Sequence, residues 1–119
     1  MTRRKLPDER RGLTHRAVIG GHKVYLTTGE FEDGTLGEIF ISVDKQGGAL
    51  RVYDALAIAI SIGLQHGVPL EDYVDKLRGM QFEPAGVTGD AEIPMAKSIP
   101  DFVARYLELR YTTKGENNV

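Results

Sequence analysis

The chain of 119 residues contains no cysteine and no tryptophan, and only three histidines. Without cysteine there is no disulfide framework, no iron–sulfur cluster, no thiolate zinc site and no thiol or thiyl chemistry on these residues. So few histidines argue against a histidine-rich metal site, while carboxylate sites stay open. No apolar run approaches the roughly 20 residues of a membrane span. The basic N-terminus is not followed by the apolar stretch of a signal peptide. The expectation is one domain, located in the cytoplasm, with no membrane partner.

What the chain does have is an uneven charge. Residues 1–16 hold Arg3, Arg4, Lys5, Arg10, Arg11 and Arg16 against Asp8 and Glu9, a net charge of +4, and the remainder carries −6. An acidic body makes nucleic acid an unfavoured partner. The basic arm suits a phosphate, or an acidic surface of another chain or of a second copy, and a homodimer or higher oligomer is expected. The plainer reading of the arm is a solvated, partly disordered leader.

Alternation marks three strands. Arg16 to Ile19 is followed by Gly20-Gly21, a two-residue hairpin signal. In the run His22 to Phe31, Val24, Leu26 and Thr28 share one face. Glu32-Asp33-Gly34-Thr35 supplies the next turn. In the run Gly37 to Val43, Ile39, Ile41 and Val43 oppose Phe40 and Ser42. A helix is predicted from about Ala49 to His66, so apolar around its circumference that central burial is expected, with Gly67 as its left-handed stop. Pro69 restarts the chain into a second helix stopped by Gly79. Residues 80–97 read as a long irregular stretch. Ser98 is a predicted N-cap, with Asp101 three residues on, for a last helix ending near Tyr111. The fold class is α+β: a three-stranded antiparallel meander packed on a buried central helix, with two further helices. The domain organisation is a basic N-terminal arm (1–14), one α+β domain (15–111) and a polar flexible tail (112–119).

Three places are candidate ligand sites. Lys45-Gln46-Gly47-Gly48 leads into the central helix, where backbone N–H groups and the helix dipole favour an anion, with Arg51 adding charge. It lacks Walker-loop spacing, and a simple strand-to-helix turn explains it as well. Asp54 is a carboxylate in an otherwise apolar helix, so it needs a partner; Arg51 at i−3 is nearest, and a ribose or base donor is the functional alternative. Phe82-Glu83-Pro84 with Thr88 offers a ring for stacking and a carboxylate for a polar edge, against the plainer reading of a packed loop with Phe82 in the core. His15 and His22 are expected at the surface or in turns. No catalytic group and no metal site is assigned.

A set of spaced segments resembles a known family. They are Lys5-Leu6-Pro7-Asp8-Glu9-Arg10, Gly12-Leu13-Thr14-His15, Ile19-Gly20-Gly21-His22, Glu32-Asp33-Gly34-Thr35 and Gly37-Glu38-Ile39-Phe40-Ile41. Asp54-Ala55, Ala59-Ile60, Gly67-Val68-Pro69-Leu70, Phe82-Glu83-Pro84-Ala85-Gly86, Ala96-Lys97-Ser98-Ile99 and Tyr106-Leu107-Glu108-Leu109-Arg110-Tyr111 continue the series. Together they resemble the TSCPD domain near the C-terminus of vitamin B12-dependent (class II) ribonucleotide reductases, from about Lys5 to Tyr111. The resemblance implies that adenosylcobalamin belongs to a separate catalytic domain, with no cofactor on this chain. The reductase's catalytic barrel and cysteine-bearing tail have no counterpart in these residues, and without cysteine the chain alone cannot reduce ribonucleotides. It implies a non-catalytic accessory domain linked to deoxynucleotide synthesis, docking onto a reductase chain or binding a nucleotide. The alternative is a stand-alone protein that sequesters a nucleotide or nucleotide signal, as small viral proteins do.

Overall fold

Gly20 and Gly21 both adopt positive φ, 57° and 83°, and close a tight hairpin between β1 (Thr14–Ile19) and β2 (His22–Glu30). Two successive positive φ values are the type I′ turn, whose twist matches that of the flanking strands. The computed structural model describes residues 2–44 and 51–112. The next turn is held by Asp33, whose Oδ1 accepts from the Thr35 N–H at 3.0 Å and the Thr35 hydroxyl at 2.6 Å. β3 (Leu36–Val43) follows, and the strand order β1-β2-β3 is the expected meander. Val24, Leu26 and Thr28 are buried together, as are Ile39, Ile41 and Val43. β1 starts two residues earlier than alternation suggests.

The central helix, α1, spans Val52–Gln65. It ends in a Schellman motif: Val68 N–H reaches Gly63 O at 3.0 Å and Gly67 N–H reaches Leu64 O at 3.1 Å, with Gly67 at φ 91°. Only a left-handed residue lets the chain turn back in this way. α2 (Leu70–Leu77) begins just after Pro69, carries Glu71 and Asp72 in its first turn, and is followed by Gly79 at φ 84°. α3 (Ile99–Tyr111) is capped by Ser98, whose Oγ accepts from Asp101 N–H at 3.1 Å.

The stretch 80–97 is more ordered than expected. It contains a two-stranded antiparallel ribbon, β4 (Gly86–Val87) with β5 (Met95–Ala96). Thr88 N–H to Pro94 O and Phe82 N–H to Lys97 O extend its pairing. Strands of two residues carry no readable alternation. Their register rests instead on Thr88 and Asp90, whose side chains bond the connecting backbone at Ile93 and Glu92.

The chain divides into two compact units, Met1–Arg16 with Tyr25–Pro69, and Ala17–Val24 with Leu70–Val119. In the first, α1 packs on β3, and the core holds Leu26, Ile39, Ile41, Val43, Tyr53, Ala57 and Ile60. In the second, α2 packs on α3 around Val74, Ile93, Ile99, Phe102, Val103 and Leu107. Burial of α1 is one-sided. Tyr53, Ala57, Ile60 and Leu64 face inward, while Val52, Ile58 and Ile62 remain 59%, 59% and 42% exposed. The expectation of burial all round therefore holds on one face only: the side of α1 turned to β3 is covered, while Val52, Ile58 and Ile62 stay open among the described residues.

Candidate functional site

The exposed side of α1 builds the candidate site. Asp54, Ile58, Ser61, Ile62 and Gln65 recur at three- and four-residue spacing and so form one stripe along the helix. Phe40, on the outward face of β3 and 56% exposed, stands beside them. Together with Ile39, Ile41 and Ala57 they line a mainly apolar groove of about 350 Å³.

Polar side chains of α1 close part of the β3 edge. Ser61 Oγ accepts from Ile39 N–H at 2.9 Å, and its hydroxyl lies within reach of Ile39 O at 3.1 Å and Ala57 O at 2.8 Å. Gln65 Nε2 donates to Gly37 O at 2.9 Å. An edge strand whose backbone groups are met by a helix is protected from strand-to-strand association.

The basic arm packs against this same unit, unlike a solvated leader. Gln65 is its anchor: the backbone carbonyl accepts from Arg4 N–H at 2.7 Å and Oε1 accepts from Arg3 Nε at 2.7 Å. Arg4 pairs with Asp33 at 3.4 Å and lies over the Phe31 ring at 3.8 Å. Arg10 pairs with Glu38 at 3.0 Å. Leu13 exchanges bonds with Thr28, and Glu30 N–H reaches Arg11 O at 2.8 Å. Gly12 is required here, because a Cβ at that position would lie 1.9 Å from Thr28 O. The arm lines a second groove, of about 510 Å³, that shares Arg3, Glu38 and Gln65 with the first. Among the described residues, neither Arg3 nor Lys5 has a carboxylate partner.

The surroundings of Asp33, Tyr53 and Arg110 shift each away from its ordinary value. The Thr35 hydroxyl and N–H, with Arg4 adding to them, hold the Asp33 carboxyl below the usual range. Burial pushes the Tyr53 hydroxyl up. Hydrogen bonding to Glu92 pushes Arg110 up.

Lys45, Gln46, Gly47 and Gly48 lie outside the described residues. Arg51 and Asp54 do pair, but at 3.9 Å with side chains 70% and 49% exposed. Asp54 is therefore not the buried carboxylate expected from its apolar neighbours, because it sits on the open side of α1. Phe82 is 44% exposed rather than in the core. Thr88 is buried, and its hydroxyl holds the ribbon by donating to Ile93 O and accepting from Asp90 N–H. Glu83 and Pro84 line a groove of about 390 Å³ with Gly20, His22 and Ala85. His22, expected in a turn or at the surface, has a buried Nδ1 with no hydrogen-bond partner among the described residues. Nothing in its local spacing signals that.

Among the described residues no cluster of histidine and carboxylate side chains is placed to hold a metal ion, and no helix is long and apolar enough to cross a membrane.

The family model described as TSCPD domain matches residues 1–111. The chain is 54% identical over 114 residues to a vitamin B12-dependent ribonucleotide reductase of Bradyrhizobium diazoefficiens, covering 94% of this chain and 9% of that protein. It is 55% identical over 111 residues to one from Agrobacterium fabrum, covering 92% and 9%. A third, from Streptantibioticus cattleyicolor, is 46% identical over 110 residues, covering 92% and 18%. The chain thus spans between 9% and 18% of the length of these relatives. No solved structure matches it.

Proposed function

The chain belongs to the TSCPD domain family, and from that premise we propose that it is a non-catalytic docking domain serving deoxynucleotide synthesis. In this reading it associates, through the open face of α1 and β3, with the catalytic part of a vitamin B12-dependent ribonucleotide reductase. The observation that carries the reading is the group of exposed apolar side chains Ile58, Ile62 and Phe40, which line one groove. A contiguous apolar surface of this kind marks an interaction site rather than a solvated face. Relatives that are reductases several times longer supply the class of partner.

The test is isothermal titration of the chain into the Bradyrhizobium diazoefficiens relative from which the matching segment has been deleted. Saturable binding is expected, together with its loss in an Ile58→Asp, Ile62→Asp double variant that keeps the parent's circular dichroism. Equal affinity of the variant and the parent overturns the reading. A nucleotide-binding role makes a different prediction. Ligand at 100 times its Kd adds about 2.7 kcal/mol of stability, which raises the Tm of a domain this size by roughly 10–20 °C. Docking predicts no such rise with nucleoside phosphates. Self-association through the same face predicts a dimer mass by light scattering, reduced to a monomer mass by the double variant.

A further inference from the structure

The groove along α1 is not uniformly apolar, and its two ends carry opposite charge. Asp54 and Gln65 are eleven positions apart on one helix, which at 1.5 Å per residue separates them by about 16 Å. At the Gln65 end stand Arg3 and Glu38, the latter's charge met by Arg10 at 3.0 Å so that Arg3 leaves this end positive, and at the other end stands Asp54. Ile58, Ile62 and Phe40 lie between them.

Arg3 differs from two of the arm's other arginines. Arg4 and Arg10 are neutralised by Asp33 and Glu38. Arg3 instead donates its Nε to the amide oxygen of Gln65, a neutral side chain only 7% exposed. That bond orients the guanidinium and, among the described residues, leaves its two terminal nitrogens without a carboxylate. Lys5 lines the adjoining groove and is likewise without an acidic partner among the described residues. An oriented guanidinium beside an apolar groove is matched by a carboxylate, which it binds through two parallel hydrogen bonds. At the other end, Asp54 has Arg51 as its ionic partner among the described residues, at 3.9 Å with both side chains exposed. Such a pair contributes little and is readily exchanged for another cation.

We propose that the groove receives one segment of the reductase polypeptide, apolar in the middle and carrying a carboxylate at the end that meets Arg3. Lys5 adds long-range attraction to that end. Asp54 sets the direction of the segment by repelling the carboxylate from the opposite end. About 16 Å accommodates roughly five residues of extended chain at 3.3 Å each or three turns of helix. The inference rests on the docking reading and gives its partner a definite chemistry.

The experiment repeats the titration against the same truncated reductase with Arg3→Gln, Arg3→Glu and Asp54→Lys variants of the full chain, at about 50 mM and about 500 mM salt. The parent is expected to weaken as salt rises. Arg3→Gln should bind about tenfold more weakly than the parent at low salt and lose most of that salt dependence, and Arg3→Glu should bind more weakly still. Asp54→Lys should cost less affinity than Arg3→Glu. If Ile58→Asp abolishes binding but Arg3→Gln matches the parent at both salts, the carboxylate contact is overturned while docking stands. If neither change alters affinity, docking itself fails. A dimer of the chain whose dissociation follows Arg3 rather than Asp54 assigns the groove to a second copy and overturns the proposal.

Discussion

The carboxylate of Asp101 reaches across 22 residues to accept the backbone N–H of Gly79 through Oδ1 at 2.8 Å. Its other oxygen, Oδ2, accepts Lys97 N–H at 2.9 Å and faces Arg105 at 3.4 Å. One side chain, 2% exposed, thus ties the end of α2 to the start of α3. Each oxygen has its own donor, so an amide with a single acceptor cannot replace it. Asp101→Asn and Asp101→Ala are both expected to destabilise the chain by about 2–4 kcal/mol. Urea unfolding checks this, and near-parent stability of the asparagine variant would contradict it.

Ser98 works in the same junction. Its hydroxyl accepts from Asp101 N–H and donates to Met80 O at 2.7 Å. Loss of an N-cap costs about 1 kcal/mol, and Met80 O loses its donor as well. Ser98→Ala is expected to lower stability by about 1–2 kcal/mol. Ser98→Asp should recover the cap but not the bond to Met80, and thermal melts of the three proteins would separate the two contributions.

The arm depends on Gly12, since no side chain fits against Thr28 O. Gly12→Ala is expected to detach the segment that follows Arg11. Trypsin cleavage after Arg10 and Arg11 should then become about tenfold faster, as local opening is favoured by little more than 1 kcal/mol. Mass spectrometry of a digestion time course reads this directly. Unchanged cleavage would show that the arm tolerates a displaced strand.

Acid should loosen the same region. The Asp33 carboxyl is held below its ordinary 3.8 by Thr35 and then Arg4. A carboxyl depressed in the folded state contributes stability above its unfolded pKa and loses it as pH falls through the folded value. Contact of Arg4 with Asp33 should therefore persist at neutral pH and disappear well below pH 3.8. Asp33→Asn should lose that part of the acid dependence, which NMR titration of the carboxyl and of the Thr35 amide would follow.

Neighbouring isoleucines on α1 should behave oppositely. Ile60 is 2% exposed and Ile58 is 59% exposed. Ile60→Ala is expected to cost about 2–4 kcal/mol, whereas Ile58→Ala should stay within about 0.5 kcal/mol. Similar losses at both sites would mean that the open face of α1 is covered in the isolated chain.

Much of the local architecture was legible in the residues themselves. The Gly20-Gly21 hairpin, the alternation through Val24, Leu26 and Thr28, the stop at Gly67 and the cap at Ser98 each depend on backbone conformation or side-chain period within a few positions. A single sequence records such constraints directly. The ribbon at Gly86–Val87 and Met95–Ala96 was not legible, because two-residue strands have no period and rest on the side chains of Thr88 and Asp90. The candidate site was less legible still. Apolar residues around all of α1 read as burial, but composition cannot say how much surface the rest of the chain has to cover them. Exposure of Ile58 beside Phe40, anchoring of Arg3 by Gln65 and the reach of Asp101 to Gly79 were decided by tertiary structure, since each joins residues far apart in the chain. The sequence by itself determined the order of the three long strands and three helices and several of their stops, because those are questions of local dihedral freedom and spacing. Which helix face stays open and which arginine keeps free donors are questions of long-range pairing, and only the folded chain answers them.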